Sequence, residues 1–293
     1  MFEALSNDPG AIVSIALRAI CLGFALLAAG TVLVNALWLD RDAMIASRSP
    51  RTALSACVLA FAAGVVAWID MSKQLYGSTA SAFDPVVIES LLATPPGHFF
   101  ALLLAGLAWM LFTTLGAGTL PVLAVPGAVA ALLSMGLVGH TLHEPRWLLY
   151  GLLTVHLTLA AIWMGVLLPL SRLTRLPRNR GHAADLAEDF GQWALMIVPV
   201  LVLAAGFLGW QLLGKPTEIP SHGYADLLRV KLALVAFVLL VGACNRFIIV
   251  PRLHDSLTAG KWLRATITLE GIGFACIVLT VSAMTYLYHP NPL

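Results

Sequence analysis

Long apolar segments separated by short polar connections dominate this chain. Eight such segments lie near residues 11–38, 51–69, 97–115, 119–139, 148–171, 191–213, 224–249 and 265–288. A bilayer core of about 30 Å is crossed by about 20 residues of α-helix, and helices satisfy their own backbone hydrogen bonds there. The pattern predicts an all-α fold, a polytopic membrane bundle of about eight transmembrane helices.

Basic residues are concentrated in alternate connections between these segments. The first, fifth and seventh connections hold Arg41, Arg48, Arg51, Arg172, Arg175, Arg178, Arg180, Arg246, Arg252, Lys261 and Arg264, whereas the others hold Lys73, Arg146 and Lys215. Since cytoplasmic loops carry the excess of Lys and Arg, the odd-numbered loops are predicted to be cytoplasmic. Both termini are then periplasmic.

Composition agrees with a membrane protein and excludes several other classes. Of 293 residues, 59% are hydrophobic and 11% are charged, whereas about 25% are charged in soluble domains. The net charge of +2 is spread between spans, so nucleic-acid binding is not expected. The acidic start of the chain argues against a secretory signal, and residues 1–293 are interpreted as one membrane domain with lipid as its surroundings.

The four cysteines do not indicate a structural cross-link or a metal site. Cys21, Cys57, Cys244 and Cys276 all lie in apolar segments, and the sequence has no CxxC pair. They are interpreted as small core residues.

Histidines gather near the predicted outer side of spans four and five. His140 and His143 are three residues apart, Met135 lies about one turn before His140, and His156 is about two turns inside the next span. Imidazole suits copper, zinc and iron, and thioether sulfur favours Cu(I). These four residues form a candidate metal site that His98 could extend; alternatively, His140 and His143 are interfacial caps and His156 bonds a neighbouring helix.

Charged and polar residues also occur within the predicted spans, where charge is costly. Glu270 lies in the inner part of span eight, level with Asn245 and Arg246, and Lys231 lies in the outer half of span seven. Arg246 is the expected partner of Glu270, as a structural clamp or as a polar step on a transport path. Asp226 and Arg229 are expected to pair at the start of span seven.

Trp163 lies seven residues after His156, on about the same helix face. It either packs beneath the histidine or is an ordinary core or lipid-facing aromatic residue. Other tryptophans, near span ends, are typical of interfacial belts.

Four segments together resemble one family of bacterial inner-membrane proteins. They read VGHTLHE, VHLTLAAIWMGVLLPL, YADLLRVKLALVAFVLLVGACNRFIIVPRL and LEGIGFACIVL. Residues from about 139 to 286 are similar to the copper resistance protein D (CopD) family. The most specific pieces are Gly139-His140, His156 to Trp163 and Gly165, Lys231, the Asn245-Arg246 to Pro251 run, and Glu270.

The resemblance implies copper homeostasis in the bacterial inner membrane, with copper ions moving from periplasm to cytoplasm. It implies a small periplasmic copper-binding partner of the CopC type. His140 and His156 correspond to the metal-handling pair, and Lys231, Asn245, Arg246 and Glu270 to family positions without an assigned role. The chain departs from the family at Gly165-Val166 and at Asp189-Phe190-Gly191, which bears on helix packing more than on metal binding.

The resulting prediction is a copper transport protein and not an enzyme. The sequence contains no GxxxxGK[ST] motif, so transport would be passive, ion-coupled or driven by a partner. A b-type haem electron carrier is the alternative, because histidines on adjacent spans can ligate haem. A membrane scaffold without transport is the third possibility.

Overall fold

The computed structural model describes residues 9–116, 120–138, 145–213, 222–253 and 256–288. Within them the α-helices are α1 (Pro9–Leu37), α2 (Arg41–Ala46), α3 (Ser49–Tyr76), α4 (Pro85–Leu92), α5 (Pro95–Gly116), α6 (Val125–Ser134), α7 (Arg146–Leu173), α8 (Arg180–Leu213), α9 (His222–Cys244) and α10 (Leu257–Leu287). Short 3₁₀ segments are Ala80–Phe83, Pro121–Ala124, Met135–Leu137, Pro177–Asn179 and Val250–Arg252, and Asn245–Ile249 is π-helical.

Among the described residues, seven helices are long and apolar enough to cross a membrane. They are α1, α3, α5, α7, α8, α9 together with its π-helical and 3₁₀ extension, and α10. The predicted all-α polytopic bundle is confirmed, with no strand in the described part of the chain.

The fourth predicted span, 119–139, is shorter and less regular than the others. It consists of a 3₁₀ turn, the short helix α6 and another 3₁₀ turn over Pro121–Leu137. Pro121 and Pro126 each stand in the first turn of one of these pieces, where proline is tolerated because the N–H it lacks has no helical acceptor. The two prolines therefore divide this span.

Helix α1 is the centre of the bundle and packs against α3, α6, α7 and α10. Its crossing with α7 is a backbone contact, since a Cβ on Gly165 would lie 2.2 Å from the carbonyl carbon of Gly30. Small residues permit this approach, which is how helices associate in a bilayer. Val166, one of the positions at which this chain differs from the family pattern, is fully buried.

Side chains from the basic connections meet at one end of the bundle. Arg172 donates hydrogen bonds to the carbonyls of Ser47 and Arg48, and Arg264 Nη1 donates to the Thr174 carbonyl at 2.6 Å. Ser14, Asp70 and Gln74 form a separate hydrogen-bonded group near the start of α1 and the end of α3. These hydrogen bonds place the described parts of the first, fifth and seventh connections at the same end of the bundle.

The cysteines do pack as apolar residues. Cys21 and Cys57 are buried, Cys244 and Cys276 are half-buried, and all are free thiols. The predicted Asp226–Arg229 pair is present at 2.7 Å.

Candidate functional site

A buried carboxylate, Glu270 of α10, lies at the centre of a hydrogen-bonded group within the bundle. Its side chain is 2% exposed. Trp163 Nε1 donates to Oε2 at 2.7 Å and Asn245 Nδ2 donates to Oε1 at 2.5 Å. Two hydrogen bonds stabilise the ionised form, but an unpaired buried charge remains costly.

Trp163 is placed by its surroundings to reach Glu270. The indole lies over Gly242 of α9, where a Cβ would come within 2.7 Å of the ring. Phe274 and Phe190 contact it edge-on, at centroid distances of 5.9 and 6.4 Å. The sequence left the position of Trp163 open; it is a core residue, 5% exposed, and its N–H is bonded to the carboxylate.

Asn245 begins the π-helical turn that follows α9 and links two elements. While its amide nitrogen donates to Glu270, its Oδ1 accepts a hydrogen bond from Thr266 Oγ1 at 2.6 Å. Short π-helical turns are often found at functional sites. Thr266 was absent from the candidate residues, although its position four residues before Glu270 places both on one face of α10.

The expected pairing of Glu270 with Arg246 is wrong. Within the described residues, no ion pair joins Arg246 to Glu270, and Asn245 and Trp163 take its place. The Arg246 side chain passes over Gly191 of α8, where a Cβ would lie 2.6 Å from Arg246 Cδ. Its Nε is buried without a hydrogen-bond partner among the described residues.

A cavity of about 320 Å³ opens beside this group, between α7, α8, α9 and α10. Glu270, Asn245 and Arg246 contribute its polar lining, and Trp163 and Gly191 lie on its wall. Most of the remaining lining is apolar. The cavity therefore presents one carboxylate, one amide and one guanidinium in otherwise apolar surroundings.

His156 of α7 lies about two helical turns from Trp163, on about the same face. Its Nδ1 is 3.3 Å from the carbonyl oxygen of Leu201 in α8. Because a carbonyl can only accept, Nδ1 carries the proton in this bond, and the lone pair is on Nε2. A backbone carbonyl bonded to one ring nitrogen is the usual second partner of a metal-binding histidine.

Lys231 lies in α9, one of the membrane-spanning helices. The side chain lies about four turns from Asn245 along the same helical segment. The four predicted polar path residues are thus divided: Asn245, Arg246 and Glu270 line the cavity, whereas Lys231 is not part of its lining.

Two other predicted ligands lie apart from this face. Met135 is buried, 7% exposed, within a 3₁₀ turn that packs against α5 and α7. The neighbouring Gly136 contacts Tyr150 of α7, which is about 120° around the helix from His156. His98 is exposed near the start of α5.

His140 and His143 lie outside the described residues. Within the residues that the structure does describe, no group of three or more His, Cys, Asp or Glu side chains could hold a metal ion. The three-histidine site of the sequence analysis therefore stays a prediction.

Comparison with known proteins agrees with the predicted resemblance. Residues 184–284 match the family model for copper resistance protein D. Inner membrane protein YebZ of Escherichia coli (strain K12) is 30% identical over 136 residues, which are 45% of this chain and 47% of the relative. Copper transport protein CutJ of Bacillus subtilis (strain 168) is 24% identical over 280 residues, which are 89% of this chain and 50% of the relative.

The chain spans about half the length of the curated relatives it matches. No solved structure matches it. Lys231, Asn245, Arg246 and Glu270 lie within the residues that match the family model, whereas His140 and His156 precede them. Together with the seven apolar helices, these matches support the predicted location, a multi-pass protein of the bacterial inner membrane.

Proposed function

From the match of residues 184–284 to the copper resistance protein D family, we propose that this chain moves copper ions from periplasm to cytoplasm as one membrane domain. Copper is the cargo. It would be received at the outer side by His156 with His140 and His143, and then pass Glu270. The proposal assigns no catalytic residue to the chain.

The structural observation that supports movement of a cation through the chain is the buried carboxylate of Glu270 beside a cavity. Each of its oxygens accepts one hydrogen bond and retains a further lone pair. No described Lys or Arg side chain forms an ion pair with it. A passing cation would therefore offset the electrostatic cost of burying this charge.

His156 supports the outer half of the proposed path. Its Nδ1–H is engaged by Leu201, which fixes the ring and leaves Nε2 to bind a metal. Imidazole nitrogen is a good copper ligand, whereas the harder carboxylate of Glu270 is less selective for copper. In this proposal, His156 selects the ion and Glu270 compensates its charge.

Met135 and His98 take lesser parts in the proposal. The 3₁₀ turn Met135–Leu137 packs against the face of α7 that carries Tyr150, not the face that carries His156. Met135 would therefore supply a soft ligand only after this turn moves relative to α7. His98 would be an entry contact on the exposed end of α5. A CopC-type protein would deliver copper at this outer side.

The test is copper accumulation in cells that express the chain, measured as cytoplasmic copper by mass spectrometry. His156→Ala and Glu270→Gln should each lower uptake, and loss of the His156 ligand should cost about tenfold or more at limiting copper. His182→Ala is the matched control, because His182 lies near Asp40, 3.7 Å away at the basic end of the bundle. This control should transport normally.

Unchanged cytoplasmic copper on overexpression would refute the proposal. Full activity of a His140→Ala, His156→Ala double variant would refute the histidine site in particular. A Soret band in the purified chain would instead favour a b-type haem carrier, and absence of stoichiometric copper after purification would favour a scaffold.

A further inference from the structure

A basic pocket separate from the Glu270 cavity lies at the end of the bundle where the basic connections meet. Its volume is about 220 Å³. Its wall is formed by the end of α7 and the residues after it, the start of α8, the residue that follows the 3₁₀ turn Val250–Arg252, and the first turns of α10. The lining residues are Thr174, Arg175, Leu176, Arg180, Leu253, Gly260, Lys261 and Arg264.

Cationic side chains make up half of that lining. Arg175 and Lys261 are exposed, and Arg180 and Arg264 are half-buried. Arg264 is held in place by its hydrogen bond to the Thr174 carbonyl. None of the four forms an ion pair with a described Asp or Glu, so their positive charges converge on the pocket without compensation from that part of the chain.

The remaining wall provides room and apolar contact. Gly260 leaves space, because a Cβ there would meet its nearest neighbour, the Thr174 carbonyl oxygen, at 3.7 Å. Leu176 and Leu253 supply apolar surface. Helices α8 and α10 begin beside the pocket, and the positive ends of their dipoles also favour an anion.

The depth of the pocket indicates which anion is available. Trp262, next to Lys261, is 61% exposed near the start of a membrane-spanning helix, as expected for a residue at the membrane–water interface. Phosphate groups of phospholipids lie at this level, and basic pockets between helices bind anionic headgroups. We propose that this pocket binds the headgroup phosphate of an anionic phospholipid.

Native mass spectrometry of the whole chain in neutral detergent can test this site. The chain is titrated with phosphatidylglycerol and with phosphatidylcholine of the same acyl chains, and phosphatidylglycerol should bind more tightly. Arg175→Gln with Lys261→Gln should weaken its binding about 25-fold, since one basic residue near anionic lipid corresponds to about a fivefold factor. Gly260→Leu, which fills the pocket without changing charge, should also weaken it.

The matched control removes two charges outside the pocket. Arg41→Gln with Arg51→Gln alters exposed basic residues of the first connection, and its affinity for phosphatidylglycerol should stay within about twofold of the unmodified chain. An equal loss in this control would overturn the proposal, because general surface charge would then explain binding. Displacement of phosphatidylglycerol by millimolar inorganic phosphate would overturn the lipid assignment in favour of free phosphate.

Discussion

Three side chains from separate parts of the sequence determine the environment of one buried carboxylate. Trp163 and Asn245 each donate to Glu270, and Thr266 donates in turn to Asn245. Hydrogen bonds to a charged, buried acceptor contribute more to stability than neutral, exposed ones. These side chains therefore join α7, the π-helical turn and α10 through one buried hydrogen-bonded group.

Trp163→Phe isolates the indole hydrogen bond at the residue scale. Phenylalanine retains the aromatic contacts but leaves Glu270 Oε2 without its described donor, so the free energy of unfolding should fall by about 1 to 2 kcal/mol. Unfolding by SDS in mixed micelles measures the change. Trp262→Phe, at a 61% exposed position, is the control and should change stability by less than about 0.5 kcal/mol; equal effects in both variants would contradict the assigned bond.

At the scale of elements, close helix packing and one irregular turn give the bundle its shape. Gly165 brings α7 onto the backbone of α1, and Gly242 and Gly191 make room for Trp163 and Arg246. The π-helical turn at Asn245–Ile249 contains one residue more per turn than an α-helix, which shifts the side chains that follow by about 100°. Asn245 and Arg246, as consecutive residues at the start of this turn, point in directions about 100° apart, so Asn245 reaches Glu270 while Arg246 passes over Gly191.

Gly165→Ala tests the crossing of α1 and α7. The new methyl group would meet backbone atoms that cannot rotate away, so we expect a loss of about 1 to 3 kcal/mol in the free energy of unfolding. Gly151→Ala is matched on the same helix, because nothing lies within 4 Å of a Cβ there. That control should be neutral or up to about 1 kcal/mol more stable through helix propensity; a harmless Gly165→Ala would contradict the close crossing.

On the scale of the whole molecule, the two ends of the bundle differ in charge. Arg172 and Arg264 tie the odd-numbered connections together, and the basic pocket lies among them. If this end faces the cytoplasm, the His156 end of α7 is directed toward the periplasm, which is the orientation that copper import requires.

Single cysteines can establish that orientation. Ser78→Cys, exposed after α3, should react with a membrane-impermeant maleimide in intact cells, whereas Arg41→Cys should react only after lysis. The parent chain, whose cysteines are buried or half-buried, gives the background. Labelling of Arg41→Cys in intact cells would reverse the proposed topology and the direction of transport assigned to the histidines.

The membrane class, seven of the eight spans as long apolar helices, and the resemblance to the copper resistance protein D family could all be predicted from the amino-acid sequence. These properties depend on local composition and on the requirement for internal backbone hydrogen bonds in a bilayer. The sequence also indicated that Asn245 lies level with Glu270. That Asn245 and Trp163, and not Arg246, bond to the carboxylate is apparent only from the packing of the folded helices. Such contacts depend on the rotation of each helix about its axis and on its position relative to its neighbours, which a period of 3.6 residues along one helix does not specify.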